Sequence, residues 1–73
     1  MASILCPGKI SWPELFGRKG DERAITIIQM ENHMVTAVFL VPEGSAVTDD
    51  FRCNRVRLWI NHQNIIVRVP IIG

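Results

Sequence analysis

The chain has 73 residues, 48% of them hydrophobic, and its eight basic and seven acidic side chains leave a formal charge of +1. That is material for one small core and no second, so residues 1–73 are read as a single domain. The scattered, nearly balanced charge gives no footprint for nucleic acid or for an anionic membrane; the expected partner is a protein and the expected state a monomer.

Met1 to Leu5 lacks the apolar stretch of a secretion signal, and no run approaches the roughly 18–20 apolar residues that span a bilayer. A soluble chain is expected, with secreted, vacuolar and cytosolic destinations all left open. Next come Cys6 and, far along the chain, Cys53. In so small a domain two cysteines point first to a disulfide, and two buried thiols in a reducing compartment are the alternative. Trp12-Pro13-Glu14-Leu15 reads as a short turn, with Ser11 and Glu14 at the separation of a reciprocal capping box. The main helix is expected from Gly20 or Asp21, where two acids suit the positive end of the helix dipole, to about Glu31. Ala24, Ile27, Ile28 and Glu31 share one helical face, and the three apolar members should cover a sheet.

Val35 to Val41 is rich in β-branched residues and reads as a nearly fully buried central strand closed by Pro42; Val56 to Ile60 reads as its parallel partner. Asn61 to Asn64 is polar and should turn the chain into an antiparallel strand, Ile65 to Val69, ended by Pro70. The fold class is therefore α+β, an α/β sandwich of one helix on a small mixed sheet.

Between the two apolar runs lies Ser45 to Phe51, with adjacent acids Asp49 and Asp50 and small residues that no core would want, so the segment belongs on the surface. A connection of this length in a small domain is either mobile or functional. Arg55 and Arg57 are the candidates to hold it, because strand residues two apart project from one face. Their expected targets are Asp50 and Thr48, since a guanidinium can grip a carboxylate in bidentate fashion while donating further bonds to a hydroxyl or a carbonyl. The plainer alternative is that alternating arginines solvate the outer face of an edge strand.

The residues Cys6-Pro7-Gly8-Lys9, Ser11-Trp12-Pro13-Glu14-Leu15, Gly17, Glu31-Asn32, Val35-Thr36-Ala37-Val38, Pro42-Glu43-Gly44-Ser45, Val47-Thr48, Phe51-Arg52-Cys53, Arg55-Val56-Arg57, Val69-Pro70 and Gly73 carry a resemblance covering nearly the whole chain. In order and spacing they resemble the potato inhibitor I family of serine protease inhibitors. The resemblance implies a wedge-shaped domain, no enzyme and no cofactor, whose extended, substrate-like loop enters a protease active site. It implies that Ser45, Ala46, Val47, Thr48, Asp49, Asp50, Phe51 and Arg52 contact the protease, with the reactive bond between Asp49 and Asp50. Thr48, Asp50, Arg55 and Arg57 would support the loop, Cys6 and Cys53 would be bridged, and a role in plant defence against foreign proteases would follow. The carboxylate of Gly73 is a further candidate for the arginine cluster. Two departures from the family pattern, Lys19 in place of a capping Ser and one extra residue between Gly17 and Ala24, imply a looser helix entry. His33 replaces a frequent proline after the helix.

Asp49 is a fourth departure, because the family more often places an apolar or basic residue before the reactive bond. An unpaired carboxylate in a deep apolar or acidic pocket loses its water and gains no partner, so trypsin-like and chymotrypsin-like enzymes are poor targets. An acid-specific serine endopeptidase would welcome Asp49, and a shallow subtilisin-like pocket would tolerate it. Other functions fit less well. His33, His62 and the two cysteines match no compact metal motif, so no metal site is expected. Ser45, His62 and Asp49 have nothing to bring them together as a catalytic set. Trp12 and Trp59 sit in apolar patterns that suit packing better than base stacking. The remaining alternative is a non-inhibitory interaction or storage protein on the same fold.

Overall fold

A computed structural model of the chain describes residues 6–73, so the reading of Met1 to Leu5 lies outside the described residues. Helix α1 spans Glu22–Glu31 and is opened by Asp21, whose carboxylate accepts from the N–H groups of Arg23 (3.1 Å) and Ala24 (3.3 Å). This satisfies donors that a helix start otherwise leaves unpaired. The looser entry expected from Lys19 is not what the structure has. Asp21 takes the capping role, the Gly20 N–H donates to the Asn64 carbonyl at 2.7 Å, and a Cβ on Gly20 would stand 2.6 Å from the Ile60 side chain.

The helix ends at buried Asn32, whose N–H still reaches the Ile28 carbonyl at 2.9 Å. Its side-chain amide donates to the carbonyls of Pro7 (3.0 Å) and Lys9 (2.8 Å), and its oxygen accepts from the Met34 N–H (2.9 Å). One side chain thus ties the amino-terminal arm to the helix. The Pro13–Leu15 segment forms a 3-10 turn, but the expected Ser11–Glu14 capping box is absent. Lys9 pairs with Glu14 and also donates to Glu31 at 2.9 Å, while Ser11 bridges to Ile71. A charged partner for Glu14 outcompetes a main-chain amide.

Strands β1 (Ala37–Pro42) and β2 (Arg55–Ile60) pair in parallel, in register from Ala37 opposite Arg55 to Pro42 opposite Ile60. The antiparallel strand expected at Ile65 to Val69 is reduced to separate bridges, Ile60 with Ile66 and Lys19 with Ile65, and Val56 meets Ile72 further on. Pro70 has no N–H with which to continue a ladder. The expectation of a nearly fully buried first strand also fails in part. Val35 and Val41 are buried, but Phe39 and Leu40 are 53% and 43% exposed. Among the described residues β1 pairs with β2 alone, so one of its edges is left uncovered.

β2 places Val56, Leu58 and Ile60 in one core with Trp12, Leu15, Ala24, Ile28 and Ile66. The alternate residues Arg55, Arg57 and Trp59 therefore face the other way. Because β1 and β2 are parallel, the chain leaving at Pro42 must travel back along the pair before re-entering at Arg55. Residues 43–54 make that return on the side where the arginines project. No helix among the described residues is long and apolar enough to cross a membrane.

Candidate functional site

The returning segment is anchored where it leaves β1 and where it joins β2. At its start the Glu43 N–H donates to the Ile60 carbonyl at 2.8 Å, and the Ser45 N–H closes a turn on Pro42 at 3.1 Å. Gly44, with φ +88°, occupies the third place of that turn, the position where a type II turn requires positive φ. Where the segment departs, Cys53 is bonded to Cys6, 47 residues away in sequence. Nearby, the Arg52 N–H donates to the Gly73 oxygen (3.0 Å), and the Gly73 N–H donates to the Arg55 carbonyl (2.9 Å).

Between these anchors every residue from Ser45 to Arg52 is exposed and none is in regular structure. Polar contacts from below take the place of packing. Arg55, its side chain only 10% exposed, donates through Nη2 to Asp50 Oδ1 at 3.1 Å and to the Asp50 main-chain oxygen at 2.9 Å. The same guanidinium reaches Asp50 Oδ2 through Nη1 (3.4 Å) and the Gly73 oxygen through Nε (2.9 Å) and Nη2 (2.6 Å). Arg57 donates to the Thr48 hydroxyl at 2.8 Å and lies 3.8 Å from Asp50 Oδ1. The Thr48 hydroxyl in turn donates to Asp50 Oδ1.

Thr48, Asp50, Arg55 and Arg57 are thus brought together, and Gly73 joins them through its oxygen. Arg52, expected only as a protease contact, also folds back: its Nε donates to Asp50 Oδ2 at 3.0 Å. The residue type alone gave the signal for this, a third arginine two positions from an acid, but nothing in the pattern told it from an outward-facing side chain. The Thr48 hydroxyl, then Arg52, then Arg55 hold the Asp50 carboxyl far below the usual carboxylate range. All three act by bonding to its charged form.

Asp49 has a different setting. Its residue is exposed, and among the described residues its carboxylate takes part in no hydrogen bond or ion pair. Val47 and Phe51 are exposed apolar residues on either side of the two acids, with 42% and 65% of their surface in solvent. Beneath the loop lies a cleft of about 320 Å³, lined by Thr48, Asp49, Arg57, Trp59, Arg68 and Ile71 among others. Among the described residues no group of three His, Cys, Asp or Glu side chains is placed to hold a metal ion. Chemically, the arrangement is a main-chain segment presented to solvent, fixed at its ends and gripped at Thr48 and Asp50, with one free carboxylate at the centre.

Comparison with known proteins bears on the chain as a whole. Residues 6–73 match the Potato inhibitor I family. An inhibitor of trypsin and Hageman factor from Cucurbita maxima is 53% identical over 68 residues, which are 93% of this chain and 97% of that protein. A Glu S. griseus protease inhibitor from Momordica charantia is 50% identical over 68 residues, again 93% of this chain and 97% of that one. The crystal structure of bitter gourd trypsin inhibitor matches with a TM-score of 0.85 at 47% identity, covering 93% of this chain and 97% of that chain.

Proposed function

The chain belongs to the potato inhibitor I family, whose members are protease inhibitors and not enzymes, and on that premise we propose that it inhibits a serine endopeptidase by offering the Asp49–Asp50 bond as a substrate that cannot leave. A serine protease attacks any peptide carbonyl set beside its nucleophile and oxyanion hole. A segment already held in that geometry binds without the usual ordering cost, about 0.5–1.5 kcal/mol for each side chain that would otherwise be immobilised. The bonds from Arg55 and Arg57 keep the two sides of the bond together, so hydrolysis of the acyl-enzyme competes poorly with re-formation of the peptide. Residues Ser45 to Arg52 form the contacting surface.

The observation that carries the reading is the contrast between the two acids. Asp50 is held by Thr48, Arg52 and Arg55, whereas its neighbour Asp49, at the exposed centre of the loop, has a carboxylate with no partner among the described residues. A free carboxylate in the primary specificity pocket suits an enzyme whose pocket supplies Arg, Lys or His, so the target is an acid-specific serine endopeptidase. The relative named for a Glu S. griseus protease supports that choice. A subtilisin-like enzyme is the next candidate on the ground that a shallow pocket leaves the charge in water. The plant sources of the relatives, among them an ethylene-responsive proteinase inhibitor from Solanum lycopersicum, support a part in defence, including the response to wounding.

The test is a panel of an acid-specific endopeptidase, subtilisin, trypsin and chymotrypsin, with the cleaved bond identified by mass spectrometry. Inhibition should be strongest for the first and weakest for the last two, and Asp49→Lys should gain inhibition of trypsin. Failure against all four enzymes would overturn the reading in favour of a non-inhibitory interaction or storage protein.

A further inference from the structure

The outer face of β2 carries three side chains in a row, Arg55, Arg57 and Trp59, and the first two are engaged with the loop. Trp59 instead lies under Arg68, whose guanidinium carbon stands 4.1 Å from the ring centre, well within cation–π range. The Val67 N–H holds the following segment alongside by donating to the Trp59 carbonyl at 2.8 Å. Among the described residues Arg68 takes part in no ion pair, yet it lines the cleft beneath the loop together with Asp49 and Arg57.

The two sides of the Asp49–Asp50 peptide are held unequally. On the Asp50 side Arg55 bonds both the carboxylate and the main-chain oxygen, and Arg52 adds a bond at 3.0 Å. On the Asp49 side the support is the 2.8 Å bond from Arg57 to Thr48, and the further bond from Thr48 to Asp50 crosses the peptide in question. Cutting the peptide sharpens the inequality. One water is consumed and the carbon–nitrogen bond breaks; the water oxygen joins the Asp49 carbonyl carbon as part of a carboxylate, and its two protons convert the Asp50 nitrogen to an ammonium. The amino-terminal side then ends in a residue with two carboxylates and little to hold it.

We propose that Arg68, presented by the Trp59 ring, is a positioning residue that receives the new carboxylate of Asp49 and keeps that end beside the protease serine. The proposal rests on the reactive bond assigned above. Arg68 sits in the shared cleft, it pairs with no acid among the described residues, and the demand for a cation at Asp49 rises only when the bond is cut. Its effect therefore falls on the balance between cut and intact inhibitor, which a purely structural role would not shift.

The experiment incubates intact protein, and separately the cut form, with a catalytic amount of an acid-specific serine endopeptidase until the cut-to-intact ratio agrees from both directions. Arg68→Gln should lower that ratio about two- to fivefold at low salt, the range of a single solvent-exposed ion pair. The difference should shrink at high salt as screening weakens the pair, and Arg68→Lys should restore most of it. An unchanged ratio in Arg68→Gln, with cleavage still at Asp49–Asp50, overturns this inference and leaves the reactive bond standing. Cleavage elsewhere, or none by any enzyme of the panel, overturns the reactive-bond reading and this inference with it.

Discussion

Leu58 is fully buried among Trp12, Ile28 and Ile66, while Arg57, one residue earlier on the same strand, faces the opposite side and bonds Thr48. The inner face of β2 is held by apolar packing, which is non-directional and tolerates small shifts. The outer face is held by directional bonds to a few atoms. The contrast teaches that stability and loop geometry are placed on different sides of six residues, so substitutions should separate them.

The largest expected effect touches both faces. Replacing Cys6 and Cys53 by serine should cost about 4 kcal/mol in the chain-entropy model for a 47-residue separation, read by denaturant titration. Leu58→Ala should cost about 3 kcal/mol, the middle of the range for truncating a buried leucine, while the inhibition constant of the folded fraction stays unchanged. A parallel loss of inhibition would break the separation of faces.

The outer face should behave in reverse. Arg55→Ala should weaken inhibition about 100-fold and Arg57→Ala about 10-fold, from charge-assisted bonds of about 1.5–3 kcal/mol, with less loss of stability than Leu58→Ala. Both variants should be cleaved faster than the parent. The order follows from the number of bonds each makes to Asp50 and Thr48, and an inverted order would show that the Thr48 bond dominates. The smallest effect concerns pH. The Asp50 carboxyl is lowered in the folded chain, so its contribution is complete above the unfolded value of about 4 and is lost as pH falls toward the native value. Carbon-13 titration should therefore show Asp50 still ionised below the ordinary carboxylate range. In Arg55→Ala its midpoint should move up toward the ordinary value.

Where a residue's role depends on near neighbours in sequence, it was legible. The two acids after Gly20 mark the helix start to within a residue or so, Pro42 marks the end of β1, and the Arg55–Arg57 spacing marks one shared face. What depended on distant partners was not. Glu14 fits a capping box until Lys9 takes it, and Phe39 and Leu40 look like core residues until the sheet proves to have an uncovered edge beside them. The arginine cluster was readable, but the inward turn of Arg52 was not, because an arginine beside an acid has the same pattern whether its side chain folds back or points away. The apolar pattern around Trp59 points to packing and the residue is half-buried, yet its partner Arg68 lies nine positions on, beyond any local periodicity.

The disulfide has one more consequence, of molecularity. Cys6 lies before the Asp49–Asp50 bond and Cys53 after it, so a cut there yields no separate fragments: the chain opens into a single two-ended molecule. Once the nicked molecule is bound to a protease, the meeting of its ends is an intramolecular event set by tether length and not by dilution. A nicked molecule that leaves its enzyme carries both ends with it, so the next protease that binds it can reseal it without a search for a lost fragment.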